Sequence, residues 1–211
     1  MIVSASHWMP VLVTGPASEP VTLAEAKNHL RIDANDEDDY ISSLITVARQ
    51  HIENAGNLAL LTQTWKLACD EFPWRMRKFP WETEGRLDEI LIYPGPLIAV
   101  SSIKYYDTDG LQQTLATTEY AVDSSSKPAR VYPAYGKYWP ATRSIPNAVE
   151  INFTAGYANA ASVPQQLKEA MLLLIAHLYE NRDAGEGAFA AQTLGTVQST
   201  LDILISPYRI F

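Results

Sequence analysis

The sequence predicts an α+β protein: a discontinuous four-helix domain over residues 1–61 and 158–211, carrying an inserted small antiparallel β domain over residues 62–157. Three observations predict it. Apolar residues recur at helical spacing towards both ends of the chain. Short β-branched and aromatic runs, most of them separated by proline, glycine or aspartate, fill the middle. Finally, 47% of the 211 residues are hydrophobic, enough for one good core or two small ones.

The first helix is announced by Thr22-Leu-Ala-Glu25. In this capping box the threonine hydroxyl and the glutamate each satisfy a backbone amide that the first turn leaves without a partner. Leu23, Ala26 and Leu30 then share one face, as far as about Ile32. A second helix follows Asp36-Glu-Asp-Asp39, whose carboxylates suit the positive end of a helix dipole. Its stripe is Ile41, Leu44, Ile45, Ala48, Ile52 and Ala55, and Gly56 is the expected C-terminal cap. The two helices read as an antiparallel pair joined by a short turn.

Seven strands are expected next: 62–70, 89–93, 100–107, 111–115, 119–123, 130–132 and 149–154. Asp109-Gly110 marks a hairpin between two of them. Helical spacing returns after Val163-Pro164, with Leu167, Ala170, Met171, Leu174, Ile175 and Leu178 as the core stripe. Leu172 and Leu173 fall partly outside that stripe, so this helix is apolar round most of its girth. Such a helix is central in its domain or packs on another subunit, which makes Leu172 and Leu173 candidate interface residues. Residues 185–195 read as a loop, and a short last helix runs from about Val197 to Ile205, stopped by Pro207.

Charge and composition exclude several classes. The net charge is −8, with eight acids against three bases in residues 1–61 and near balance in 62–160. A protein that grips phosphates shows the opposite sign. One cysteine, Cys69, points to a reducing compartment without disulfides. The first twenty residues lack the basic start and apolar stretch of a signal peptide. The longest apolar run, Ala170 to Ala176, falls short of the roughly 20 residues that span a bilayer. The expectation is a soluble chain with no membrane contact.

No catalytic constellation emerges. His7, His29, His51 and His177 are scattered, and neither a zinc pattern nor a phosphate loop nor GxSxG occurs. Asp33-Ala-Asn35-Asp-Glu37 starts like a calcium loop but has Asp38 where glycine is needed and Leu44 where the bidentate glutamate is needed. Asp107 and Asp109 are read as turn formers and not as a catalytic pair. Arg75-Met-Arg77-Lys78-Phe-Pro-Trp81 is a short basic aromatic patch, read as a solvated loop. Tyr132, Tyr135, Tyr138 and Trp139 suggest sugar binding, with packing on the β domain as the favoured reading. No cofactor or metal is expected, and the chain is read as a non-enzyme.

Two surfaces remain as interaction candidates. Asp36, Glu37, Asp38 and Asp39 make an acidic face. The tail residues Pro207, Tyr208, Arg209 and Phe211 suit a docking peptide, or else fold back on their own domain.

The ordered segments then bear on identity. They are Glu19-Pro-Val-Thr-Leu-Ala-Glu-Ala-Lys-Asn-His-Leu-Arg31, Asp38-Asp-Tyr-Ile41, Ala48-Arg49, Ile52-Glu53 and Gln63-Thr-Trp65. Tyr93-Pro-Gly-Pro-Leu97, Ile103-Lys-Tyr-Tyr-Asp107, Asp109-Gly110, Trp139-Pro140, Phe153-Thr-Ala-Gly-Tyr157, Val163-Pro164, His177-Leu-Tyr-Glu-Asn-Arg182 and Ser206-Pro-Tyr-Arg209 follow. In this order they resemble the head–tail connector (adaptor) proteins of long-tailed bacteriophages and related gene-transfer particles, in the larger subgroup with a β insert. That family tends to have a Pro-Gly type turn before its last helix, where this chain has Thr193-Leu-Gly195-Thr196.

The resemblance implies a dodecameric ring of copies beneath the portal protein of a DNA-filled head, with a stopper or tail-completion protein below. Double-stranded DNA would pass through without specific binding, with Asp36, Glu37, Asp38 and Asp39 as candidate channel-facing acids whose like charge keeps phosphates from sticking. It implies no catalytic residues, a part in DNA packaging, and a place in the virion neck after assembly in the host bacterial cytoplasm. The competing readings are a carbohydrate- or ligand-binding β module on a helical scaffold, and a neighbouring neck protein such as a stopper or tail terminator.

Overall fold

A computed structural model describes residues 9–73, 88–182 and 188–211. It is a mixed α/β chain that divides into two compact units. One unit comprises Met1–Gly15 and Gln63–Ala155, the other Pro16–Thr62 and Gly156–Phe211.

The second unit is helical. The Thr22 capping box forms: its hydroxyl accepts from the Glu25 amide at 3.1 Å, and the Glu25 carboxylate accepts from the Thr22 amide at 2.7 Å. Helix α1 (Leu23–Leu30) follows and ends at Arg31, which takes the left-handed conformation. Helix α2 (Asp38–Gly56) buries Ile41, Leu44, Ile45, Ala48 and Ile52, the stripe its spacing predicts. Gly56 is not the cap; it is the last helical residue, and Asn57 turns left-handed at φ 52°. The short side chain of asparagine tolerates that conformation, and a Cβ on Gly56 would meet Leu58 at 2.7 Å.

Helix α3 (Gln165–Glu180) starts after Pro164 and buries Leu167, Ala170, Met171, Leu174 and Ile175. It packs on α2 and on helix α4 (Ala188–Ile205). The expected loop over 185–195 is corrected here: from Ala188 onward the chain is helical, nine residues earlier than Val197. Ala188, Ala190 and Ala191 are strong helix formers, no proline intervenes, and Gly195 costs only about 1 kcal/mol in a helix interior. Residues 185–187 lie outside the described residues.

The first unit is built of antiparallel strands. A five-stranded sheet has the order β1-β2-β8-β4-β5, from β1 (Met9–Thr14), β2 (Gln63–Cys69), β4 (Leu97–Tyr106), β5 (Gln112–Thr114) and β8 (Val149–Ala155). A three-stranded sheet has the order β3-β7-β6, from β3 (Ile90–Ile92), β6 (Tyr120–Asp123) and β7 (Ala129–Pro133). Strand alternation decides what is buried: Val149, Ile151, Phe153 and Ala155 point inward from β8, and Val131 and Ala129 from β7. Turn geometry accounts for Asp107, whose carboxylate accepts from the amides of Asp109 (3.1 Å) and Leu111 (2.9 Å) and from the Gln113 side chain (2.8 Å).

Strand β1 is a second correction. Residues 9–14, expected with the helical segments, pair instead with β2, Val11 opposite Lys66 and Leu12 opposite Trp65. The run Val11-Leu-Val-Thr14, rich in β-branched residues, carried the signal; Pro10 is tolerated because the strand lies at an edge.

Candidate assembly surfaces

The acidic turn before α2 is less charged in its surroundings than its sequence suggests. Lys27 bonds the Asp38 carboxylate at 2.7 Å and the Asn35 side chain at 2.7 Å, tying α1 to the start of α2. Glu37 is held from the end of α3 and the residues just past it: the Tyr179 hydroxyl donates to it and Arg182 pairs with it at 2.7 Å. The Arg182 guanidinium lies 4.6 Å from the Tyr40 ring centre and 4.4 Å from that of Tyr179. Cation–π attraction thus fixes the arginine that neutralises Glu37. Asp36 and Asp39 are exposed, without an ion pair among the described residues.

This latch has a titration signature. The Tyr179 hydrogen bond, and after it the bond from Arg182, lower the pKa of Glu37, since both favour its charged form. A lowered folded-state pKa means the latch contributes fully above the ordinary glutamate range and is lost as pH falls through the lowered value. Carboxyl NMR of the wild-type chain should therefore show Glu37 titrating below exposed glutamates. Tyr179→Phe should move that midpoint upward, and an unmoved midpoint would refute the assignment.

On α3, Leu172 is half-buried and Leu173 is 36% exposed, so the apolar girth reaches the surface along one line. The tail turns back within the helical unit. Arg209 donates to the Ala55 carbonyl at 3.0 Å and pairs with Asp202 at 3.0 Å. The Ile210 amide donates to the Gly56 carbonyl at 2.9 Å, its own carbonyl accepts from Asn57 at 2.8 Å, and its side chain is buried. These bonds satisfy carbonyls that the C-terminus of α2 would otherwise leave open. Tyr208 is half-buried, Pro207 exposed, and Phe211 is 83% exposed.

In the β unit the aromatic loop divides. Trp139 stacks on Phe72 with ring centres 4.7 Å apart, and its indole donates to the Asp88 carbonyl at 2.7 Å. Tyr132 is half-buried, whereas Tyr135 and Tyr138 stand in solvent. The expected packing thus holds for Trp139 and fails for those two. Strand β1, which sequence reasoning missed, exposes Val11, Leu12 and Val13 together.

Reactive chemistry is sparse among the described residues. The Cys69 thiol is buried, donates to the Glu71 carbonyl, and is pushed up to about 12 by burial, so it is no nucleophile at neutral pH. No group of three metal-ligating side chains occurs among the described residues, and none of their helices is long and apolar enough to cross a membrane. His177 is buried beside Asn181; His29 and His51 are exposed. The patch Arg75–Trp81 and His7 lie outside the described residues.

Residues 20–125 match the family described as phage gp6-like head-tail connector protein. No curated protein matches the chain. Among solved structures, a chain from the virion of a native gene transfer agent (GTA) particle is 25% identical with a TM-score of 0.72. A chain from the neck of an empty GTA particle, computed with C6 symmetry, is 24% identical with a TM-score of 0.73. A third, from the neck of a native GTA particle computed with C12 symmetry, is 22% identical with a TM-score of 0.68. In all three, the match covers 96% of this chain and 96% of the other.

Proposed function

Because the chain belongs to the phage gp6-like head-tail connector proteins, we propose that it sits in the neck of a phage-like particle. There, copies form a ring beneath the portal and join the DNA-filled head to a stopper or tail. The observation that carries this reading is the likeness over 96% of both chains to a protein of a GTA virion. Necks computed with C6 and C12 symmetry support a ring, and twelve copies satisfy both. On this reading the helical unit is the connector domain, the strand-rich unit is its insert, and assembly takes place in the host bacterial cytoplasm. The role is structural and uses no catalytic step.

Electrostatics support passage of DNA without capture. The net charge of −8 repels phosphates, and Asp36 and Asp39 carry the exposed part of the acidic turn, Glu37 and Asp38 being neutralised by Arg182 and Lys27. Leu172, Leu173, Pro207, Tyr208 and Phe211 supply contacts to neighbouring subunits or to the portal, while Arg209 holds the tail that presents Phe211. Sugar binding is disfavoured, because the Trp139 ring that would stack on a sugar is already stacked on Phe72.

Deleting the coding sequence from the source genome should yield DNA-filled heads that lose their DNA and carry no tails. Electron microscopy of the purified particles reads this directly. Normal yields of filled, tailed particles, or a wild-type neck lacking this polypeptide, would overturn the proposal.

A further inference from the structure

Strand β1 lies at the edge of its sheet yet has the composition of an interior strand. Among the described residues it pairs with β2 on one side only. Residues 10–14 are all exposed, with Val11 at 49%, Leu12 at 47% and Val13 at 56%. Val11 pairs with Lys66 and Leu12 with Trp65, so apolar groups leave both faces of the strand. A strand apolar on both faces is the pattern of one buried on both sides. Edges are normally blunted with charge or kept short. The opposite edge, β5, follows that rule, with three polar residues, Gln112, Gln113 and Thr114. By contrast, β1 runs for six residues and has no charged side chain.

We propose that β1 is one half of the contact between adjacent copies in the ring, its free edge and its Val11, Leu12 and Val13 side chains covered by a second copy of this chain. The inference rests on the neck reading above and names a surface for it. Charge favours a second copy over DNA. Each copy carries −8, so identical neighbours repel and must meet where charge is lacking. Residues 9–18 hold no charged side chain, and the first acid is Glu19. DNA is a poor occupant, since an uncharged apolar strand offers phosphates nothing. A closed ring needs two different surfaces on each copy, and β1 supplies one that β5 cannot duplicate.

The test places a photo-crosslinking phenylalanine analogue at position 12 in the full chain, assembled into particles. After irradiation and denaturation, a ladder at multiples of the 23.4 kDa chain is expected. Adducts to a different polypeptide, or none from particles that contain the chain, would sink the inference and leave the neck reading standing. Particles without the chain would sink both. As a second arm, Val11→Glu with Val13→Lys alters side chains that are already exposed and sets a carboxylate opposite Lys66, so the isolated chain should melt as wild type does. Its incorporation into necks should fall at least tenfold, and unchanged incorporation would refute the interface.

Discussion

Replacing Arg49 with leucine should destabilise the helical unit by roughly 3–5 kcal/mol, the loss typical when one partner of a buried ion pair is removed. Arg49 is 7% exposed and Glu53 8%, one turn apart on α2, with Nη1 of the arginine 2.7 Å from the carboxylate. Its Nε reaches Glu19 at 2.8 Å, so the same guanidinium ties the segment before α1 to α2, and Thr46 adds a bond at 3.1 Å. The other Glu53 oxygen accepts from the Leu60 amide at 2.9 Å, closing the turn that leaves the helix. With the cation gone, a buried carboxylate keeps its desolvation cost and loses the charge that compensates it. Adding Glu53→Gln to Arg49→Leu should recover on the order of 2 kcal/mol, because the amide keeps the Leu60 acceptor without the charge. Urea denaturation of wild type, single and double variants measures both steps. A single-variant loss under about 1 kcal/mol would show that the network is dispensable.

Gly156→Ala should cost roughly 3 kcal/mol or more. The residue follows β8 with φ at +118°, a region L-residues avoid at a cost of about 1–3 kcal/mol. A Cβ there would also stand 2.0 Å from the Leu61 carbonyl oxygen and 2.9 Å from the Thr62 nitrogen. Both are backbone atoms, so nothing flexible can yield. Gly136→Ala is the control: its φ is +75°, but nothing lies within 4 Å of the added methyl, so backbone strain alone of about 1 kcal/mol is expected. Thermal melts of the two variants separate strain from collision, and equal shifts would refute the steric account.

What the sequence revealed was mostly local. The capping box at Thr22 and Glu25 lies within four residues, and the alternation of Val149, Ile151, Phe153 and Ala155 within seven, so pattern alone located them. Contacts spanning long separations stayed hidden. The partner of β1 lies fifty or more residues on, beyond the reach of local pattern. Arg49 meets Glu19 across thirty residues, and the neutralisation of Glu37 depends on Tyr179 and Arg182, more than 140 positions away. The tail offered equal local support for docking and for folding back; the bonds of Arg209 and Ile210 to the Ala55 and Gly56 carbonyls span more than 150 positions and leave no local pattern. Within the aromatic loop, Tyr138 and Trp139 are neighbours with opposite fates, because only the tryptophan finds Phe72. The start of helix α4 is masked in the sequence by Gly185, Gly187 and Gly195, which flank the alanines that form it.

The β2–β8 ladder carries a mechanical corollary. Its register runs from Gln63 opposite Ala155 to Cys69 opposite Val149, so the chain departs from Thr62 and comes back at Gly156 through adjacent rungs. Just outside that first rung, Thr62 donates from its hydroxyl to the Tyr157 carbonyl at 3.1 Å. Tension along the polypeptide from residue 62 to residue 156 is therefore borne by this rung and this bond before it reaches the ninety-odd residues between them.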